Sequence, residues 1–287
     1  MSNLDHILPL EFHQKSDKEI FEKGLALYSQ HQYAEALPFF QHLTDSAFEM
    51  LKYYHLGLTY VQLGQLETGL NYYRRIREVP AHVQGIEYDR IMYGLYLNMG
   101  STLQVLAKQK DYMLYNESIE CYKFALEIKD SDHRVWNNLG NAYIEVDRYP
   151  AAIEAFQRAL QLEPEYSEAH YSLSLAYEFS SQYPQALQHL KEALKDKPRN
   201  KMILNRIAAI EFGSGNFLEA QQYTEQILQL YPDDATATKS LTLILYNLGE
   251  YAQAYQYYQK FKVLVPDFAD NQVLGIFRDL EKRIAEP

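Results

Sequence analysis

The chain contains a single cysteine, Cys121, among 287 residues, so it can form no internal disulfide and no cysteine-built metal centre. Cys121 falls within a helical pattern, and the expectation is a packed thiol rather than a nucleophile. No stretch approaches the run of about 18 apolar residues that a bilayer-spanning helix needs, so no membrane insertion is expected. The opening MSNLDHILPLEFHQKS has no basic head, long apolar run or small-residue cleavage site, which sets the expectation of a cytoplasmic protein. Positive charge is also scarce: 27 Lys and Arg stand against 38 Asp and Glu, a formal net charge of -11. That sign argues against nucleic acid or an anionic membrane surface as the main partner and leaves a neutral or basic protein as the easier one.

Signatures of chemistry are missing as well. None of the 9 histidines falls in an HExxH arrangement or in a compact cluster with metal-ligand spacing. No GxSxG, GxxxxGK[ST] or GxGxxG precedes a helix. Nothing nominates an acid, a base or a nucleophile, and the expectation is a non-enzyme with no catalytic residue, metal or cofactor.

What is present is a period. Leu139, Tyr143, Tyr149, Ala152, Ala159 and Pro164 return 34 residues later as Leu173, Tyr177, Tyr183, Ala186, Ala193 and Pro198. The frame extends over residues 17–49, 50–83, 84–132 in an expanded copy, 133–166, 167–200, 201–234 and 235–268. One place in the first half of each copy is small: Gly24, Gly57, Gly100, Gly140, Ser174, Ala208 and Thr242. A second small place holds Ala36, Gly69, Ser118, Ala152, Ala186, Ala220 and Ala254. Small residues let two helices approach closely, and apolar residues at helical spacing around them supply buried faces. Each copy therefore reads as an antiparallel helical hairpin, with turns such as Gly64-Gln65 and Gly249-Glu250 and a stop at Pro164, Pro198, Pro232 or Pro266. Ser16 followed by Glu19 is a capping-box signature for the first helix.

Trp136, Leu139, Gly140, Tyr143, Ala152, Phe156, Ala159 and Pro164 fill every place of one known pattern, and the chain resembles the tetratricopeptide repeat (TPR) family over residues 17–268. The resemblance implies an all-α fold, a right-handed α-solenoid of about seven TPR hairpins whose first helices line a concave groove. Residues 1–16 form an N-terminal tail, and 269–287 look like a capping helix, with Val273, Leu274, Phe277, Leu280 and Ile284 at helical spacing. By the family's geometry the peptide-binding groove would present Tyr28, Tyr54, Val61, Arg134, Asn137, Asn141, Tyr171, Glu178, Asn205, Phe212, Lys239 and Tyr246. Leu25, Leu58, Leu175 and Leu243 lie on the same surface but are expected to pack on adjacent repeats. Some members grip a C-terminal carboxylate through Lys, Asn and Arg; here Asn141 and Arg206 match, while Asn137, Ser172 and Met202 replace the rest, so that role is not expected.

Two departures from the pattern stand out. About nine residues are added between Val83 and Tyr93 and about six around KQKDYMLYN, which points to one long helix from about His82 to Lys108. In the sixth copy, Glu211 replaces Tyr60, Tyr143, Tyr177 or Leu245, and Thr224 replaces a facing aromatic residue. A buried carboxylate needs partners, so Glu211 is expected to bond Thr224 or a tyrosine, or to reach solvent. The tail residues Leu4, Ile7, Leu8, Leu10 and Phe12 could cap the first repeat, occupy the groove or act as a docking motif.

The functional expectation is an adaptor or scaffold for protein–protein interaction, taking a peptide or amphipathic helix of a partner in its groove. The alternative is a secretion or surface-assembly chaperone for an exported protein.

Overall fold

The structure, a computed structural model, describes residues 16–79 and 86–285. The apolar tail residues Leu4 to Phe12 and the first turn expected of the long helix, residues 82–85, lie outside them. Among the described residues there are fifteen α-helices, one 3-10 turn at Ser46–Phe48 and no strand. Seven antiparallel pairs follow in chain order: α1 (Asp17–Ser29) with α2 (Tyr33–Gln41), α3 (Glu49–Gln62) with α4 (Leu66–Ile76), and α5 (Ile86–Gln109) with α6 (Leu114–Ile128). Next come α7 (His133–Glu145) with α8 (Tyr149–Leu162), α9 (Ser167–Phe179) with α10 (Tyr183–Asp196), α11 (Lys201–Gly213) with α12 (Phe217–Leu230), and α13 (Ala235–Asn247) with α14 (Tyr251–Leu264). A last helix, α15, spans Asn271–Ala285. The fold is an α-solenoid of TPR hairpins, divided into a first unit ending at Leu162 and a second beginning at Glu163.

Local chemistry explains where the helices begin and turn. Ser16 caps α1 as the sequence predicts: Glu19 donates its N–H to Ser16 Oγ, and Glu19 Oε2 accepts the Ser16 N–H at 2.9 Å. In six hairpins the first helix ends on a left-handed residue, namely His31, Gly64, Asp147, Ser181, Gly215 and Gly249, with φ between 57° and 81°. The amide of the following residue then donates to a carbonyl five residues back, as Asn216 does to Glu211 O at 2.9 Å. This closed turn points the chain back along the helix it has just left. The expanded third hairpin uses another device, with Asp111 Oδ1 accepting the Met113 N–H at 3.0 Å.

In the first unit the hairpins close by laying a ring on a glycine. A methyl group added to Gly57 would lie 2.3 Å from the Tyr73 ring, and one on Gly140 would lie 2.6 Å from Phe156. Gly24 meets Phe40 and Gly100 meets Tyr122 in the same way, and all four rings are fully buried. Cys121 is buried beside them, and burial pushes its thiol up to about 12, as befits a packing residue. His55 stands inside an aromatic cage, stacked on Phe40 at 5.1 Å and edge-on to Phe21 and Tyr54. Its Nδ1 is buried without a partner, and burial pulls the ring down to about 4.

The second unit varies the theme. Ser174 and Leu190 are both completely buried, as are Thr242 and, nearly so, Tyr258. His170 and His189 bridge α9 and α10, stacked at 5.2 Å with their Nδ1 atoms 2.9 Å apart. His170 Nε2 faces the Pro164 carbonyl at 3.0 Å, which can only accept. In the neutral pair His170 therefore carries its proton on Nε2, and His189 donates through Nδ1. Burial, with the neighbouring His170 adding to it, pulls His189 down to about 4; Tyr177 stacks on it, and Glu192 acts in the opposite sense. At the end of this unit α15 inserts Phe277 and Leu280, both fully buried, with the Phe277 ring 4.4 Å from Tyr258.

Two tests follow from this packing. Gly140→Val drives a branched side chain into the Phe156 ring and should cost about 1–3 kcal/mol in urea unfolding. Gly213→Ala, where nothing lies within 4 Å, should be neutral or stabilising by about 0.5 kcal/mol; equal costs at the two positions would contradict the ring-on-glycine account. The second test concerns pH. His55 and His189 bind protons less tightly when folded than when unfolded, so stability is complete above the unfolded value of 6.5 and drains as pH falls toward 4. For the caged His55 the loss by pH 5 is about 2 kcal/mol. The melting temperature should fall between pH 7 and pH 5, and His55→Phe should flatten that fall; an unchanged slope would contradict it.

Candidate functional site

The six groove residues expected from the first unit are mostly occupied by their own fold. Tyr28 lies edge-on to Tyr33 at 5.0 Å, and burial pushes its hydroxyl up to about 12. The Tyr54 hydroxyl accepts from Asn98 Nδ2 at 3.2 Å and lies against Gly94, so this ring fastens α3 to α5. Val61 packs against the core formed with Tyr73 and Leu103. Arg134 donates through Nε and Nη2 to Asp132 at 3.1 and 2.8 Å. That fork, together with a 2.6 Å bond from Tyr93 Oη, holds the buried Asp132 carboxyl well below the usual carboxylate range. Asn141 is half-buried.

Asn137 corrects the expectation. It is completely buried, and both of its amide atoms lack a hydrogen-bond partner, so it presents nothing to a groove. Gln104 on α5 donates to Asn138 O at 3.1 Å, so the two helices are packed together next to Asn137, and that packing is the physical reason for its burial.

In the second unit the structure separates the predicted residues into two groups and leaves Tyr171 apart from both. Lys239 and Tyr246 belong to the end of the array. The Lys239 ammonium lies 5.5 Å from the centre of the Phe268 ring, and the Tyr246 hydroxyl donates to Asp279 of α15 at 2.5 Å. Arg283 donates to the same carboxylate, and its guanidinium covers the Tyr251 ring at 4.8 Å. Tyr171 is half-buried on α9, its carbonyl accepting from Ser174 Oγ at 2.6 Å.

Glu178, Asn205 and Phe212 come together around two adjoining cavities that share Asn205 and Ala209. The first, of about 390 Å³, lies between α11 and α13, with Ala208, Phe212, Leu243 and Ile244 as apolar wall and Thr224 of α12 also lining it. Thr236 and Ser240 bring hydroxyls to its lining. The second, of about 510 Å³, is lined by Glu178, Tyr183, Arg206 and Ile210. Across it Arg206 Nη1 donates to Glu178 Oε2 at 2.7 Å, while Glu178 Oε1 is buried with no partner. Burial raises the Glu178 carboxyl against the opposing pull of Arg206. Arg206 is thus committed to a carboxylate of its own chain. Among the described residues no group of three or more His, Cys, Asp and Glu is placed to hold a metal ion.

Glu211 is the second correction. It is buried, yet it bonds neither Thr224 nor a tyrosine and does not reach solvent. Lys191 of the preceding hairpin donates to Oε1 at 3.1 Å, and Asn216 Nδ2 donates to Oε2 at 2.8 Å. Thr224 Oγ1 donates instead to Ala220 O at 2.7 Å. The sequence marks both positions as departures, but it does not show that a lysine 20 residues upstream supplies the counter-charge. Ser240 escapes sequence reading, because its identity is ordinary for a first helix.

Removal of one partner should separate the pair's net contribution from the cost of orphaning it. Lys191→Met leaves a buried carboxylate short of a donor and should lower stability by about 1–3 kcal/mol in urea unfolding. Glu211→Leu, which places the residue found at Leu245, should be neutral or stabilising. The reverse order would show that the ion pair itself stabilises the fold.

Comparison with known proteins places this arrangement. Two family models match parts of the chain: the TPR domain of cytochrome c-type biogenesis protein H over residues 121–238, and the N-terminal domain of CABIN1 over residues 47–174. No curated protein matches it. Among solved structures, the C-terminal part of a TPR repeat-containing protein from Cytophaga hutchinsonii has a TM-score of 0.68 at 16% identity, covering 89% of this chain and 98% of that one. The MamA protein gives 0.56 at 22% identity, covering 66% of this chain and 96% of that one. YrrB, a TPR protein with an unusual peptide-binding site, gives 0.54 at 18% identity, covering 68% and 92%. At such identities the likeness is one of fold, and no helix among the described residues is long and apolar enough to cross a membrane. The repeated hairpins, their small-residue contacts and these likenesses make the chain a tetratricopeptide repeat protein.

Proposed function

We propose that the protein is an interaction scaffold that holds an extended or helical segment of a partner protein, with the adjoining cavities of the second unit as the principal contact. The observation that carries this reading is the pair of cavities itself. Apolar walls with a few hydrogen-bonding groups suit a side-chain anchor flanked by polypeptide backbone, and such anchors supply most of the affinity in protein recognition. YrrB, which shares the fold, has a peptide-binding site by its own description. Glu178, Asn205 and Phe212 are the residues of the predicted groove that this reading retains as contacts.

A second reading, a chaperone for an exported protein, draws on the match of residues 121–238 to the TPR domain of a cytochrome c-type biogenesis protein. It differs in the partner it requires: an exported chain, bound before it folds.

The test compares partners captured from a lysate by the intact protein and by an Asn205→Ala, Phe212→Ala variant. Partners should be depleted about tenfold or more by the variant, a loss of the size that one anchor residue carries. Helicity and melting of the variant must match those of the parent protein. Partners captured equally by both forms would move the contact elsewhere, and enrichment of exported chains among those lost would favour the chaperone reading.

A further inference from the structure

Every hairpin but one fills the same place between its helices. On the second helix that place holds Phe40, Tyr73, Tyr122, Phe156, Leu190 and Tyr258, all buried. The sixth hairpin, α11 with α12, has Thr224 there, and the residue opposite is Ala208. Neither side grows to make up the lost volume, because Ala208 is no larger than Ser174 or Thr242 at the same place in its neighbours. The Thr224 hydroxyl is engaged by its own helix through Ala220 O. The cavity of about 390 Å³ lies at this place, with both Ala208 and Thr224 in its lining.

We infer that this cavity receives one aromatic side chain from the partner, supplying in trans the ring that five of the other hairpins supply from their own second helix, and that the segment carrying it is basic. The inference rests on the scaffold reading above and specifies the chemistry of its ligand. Ala208 and Phe212 offer the ring an apolar wall, and edge-to-face packing against Phe212 is open to it because, among the described residues, that side chain has a single ring contact, with Phe217 at 5.5 Å. Asn205, Thr236 and Ser240 stand ready to bond a phenolic hydroxyl or the backbone around it. The basic flank follows from charge. A protein of net charge -11 attracts a cationic segment at long range.

The probe is a synthetic peptide, acetyl-Lys-Ala-Phe-Ala-Lys-amide, titrated into the full chain while the Ala208 methyl signal is followed by NMR. Saturable ring-current movement of that signal is expected, with affinity at least about tenfold weaker for a peptide with alanine at the centre. Glutamates in place of the lysines should also weaken binding, and equal affinity would overturn the basic flank. Thr224→Phe restores the ring in cis; it should melt higher than the parent and lose the peptide, whereas Thr224→Val, equal in shape to threonine, should keep it. Absence of any shift at Ala208, or undiminished binding by a folded Thr224→Phe protein, overturns the ring receptor. Should Thr224→Phe fail to fold, the central-alanine peptide decides alone: affinity equal to that of the aromatic peptide overturns the inference. Loss of lysate partners in the Asn205, Phe212 variant without peptide binding would refute the receptor and leave the scaffold standing.

Discussion

The close approach of two helices at a small residue governs most of this molecule. Where the small place of the first helix is glycine, at Gly24, Gly57, Gly100 and Gly140, the second helix lays an aromatic ring over it. Where a ring is buried in this way, the spacing of the pair is set by the ring's thickness, and in six hairpins a left-handed turn residue closes the short return. Burying such a ring is worth about 1.5–3 kcal/mol, which a single hairpin cannot retain alone because its other faces stay wet. Stacking covers those faces, and α15 covers the last with Phe277 and Leu280.

The same constraint turns one substitution into a site. With Thr224 the sixth hairpin keeps its helices but loses its filling, and the space opens between the two first helices α11 and α13. Nearby, Glu211 replaces another aromatic residue and is held by Lys191 and Asn216. Asn216 is in place because the closing turn brings its backbone amide to Glu211 O, so the turn that reverses the chain also delivers a donor to the carboxylate. A polar substitution that would otherwise unsettle the core is thus absorbed beside the cavity without filling it.

Much of this was legible in the sequence, for a reason that can be stated physically. Gly140 and Phe156 sit in one hairpin, 16 residues apart, and a period exposes such local pairs by repeating them. The long α5, the capping box at Ser16 and the cap residues Phe277 and Leu280 were readable on the same ground, since each depends on near neighbours in the chain. Contacts between copies were not. Asn137 reads as a groove residue yet is completely buried where α5 and α7 pack, and Tyr246 reads as free until Asp279 arrives from α15. Lys191 gives no hint of Glu211, because nothing in a helical surface pattern distinguishes a lysine that turns inward.

The central claim is that the sixth hairpin is under-filled while its neighbours are complete. Native-state hydrogen exchange across the second unit tests it most directly, because amide protection reports how firmly each helix is held. The account predicts that amides of α12 exchange faster than those of α10, and faster than those of α14 even though α14 lies nearer the end of the array. Protection of α12 equal to that of both neighbours would contradict it, and would mean that Thr224 leaves no energetic gap for a partner to fill.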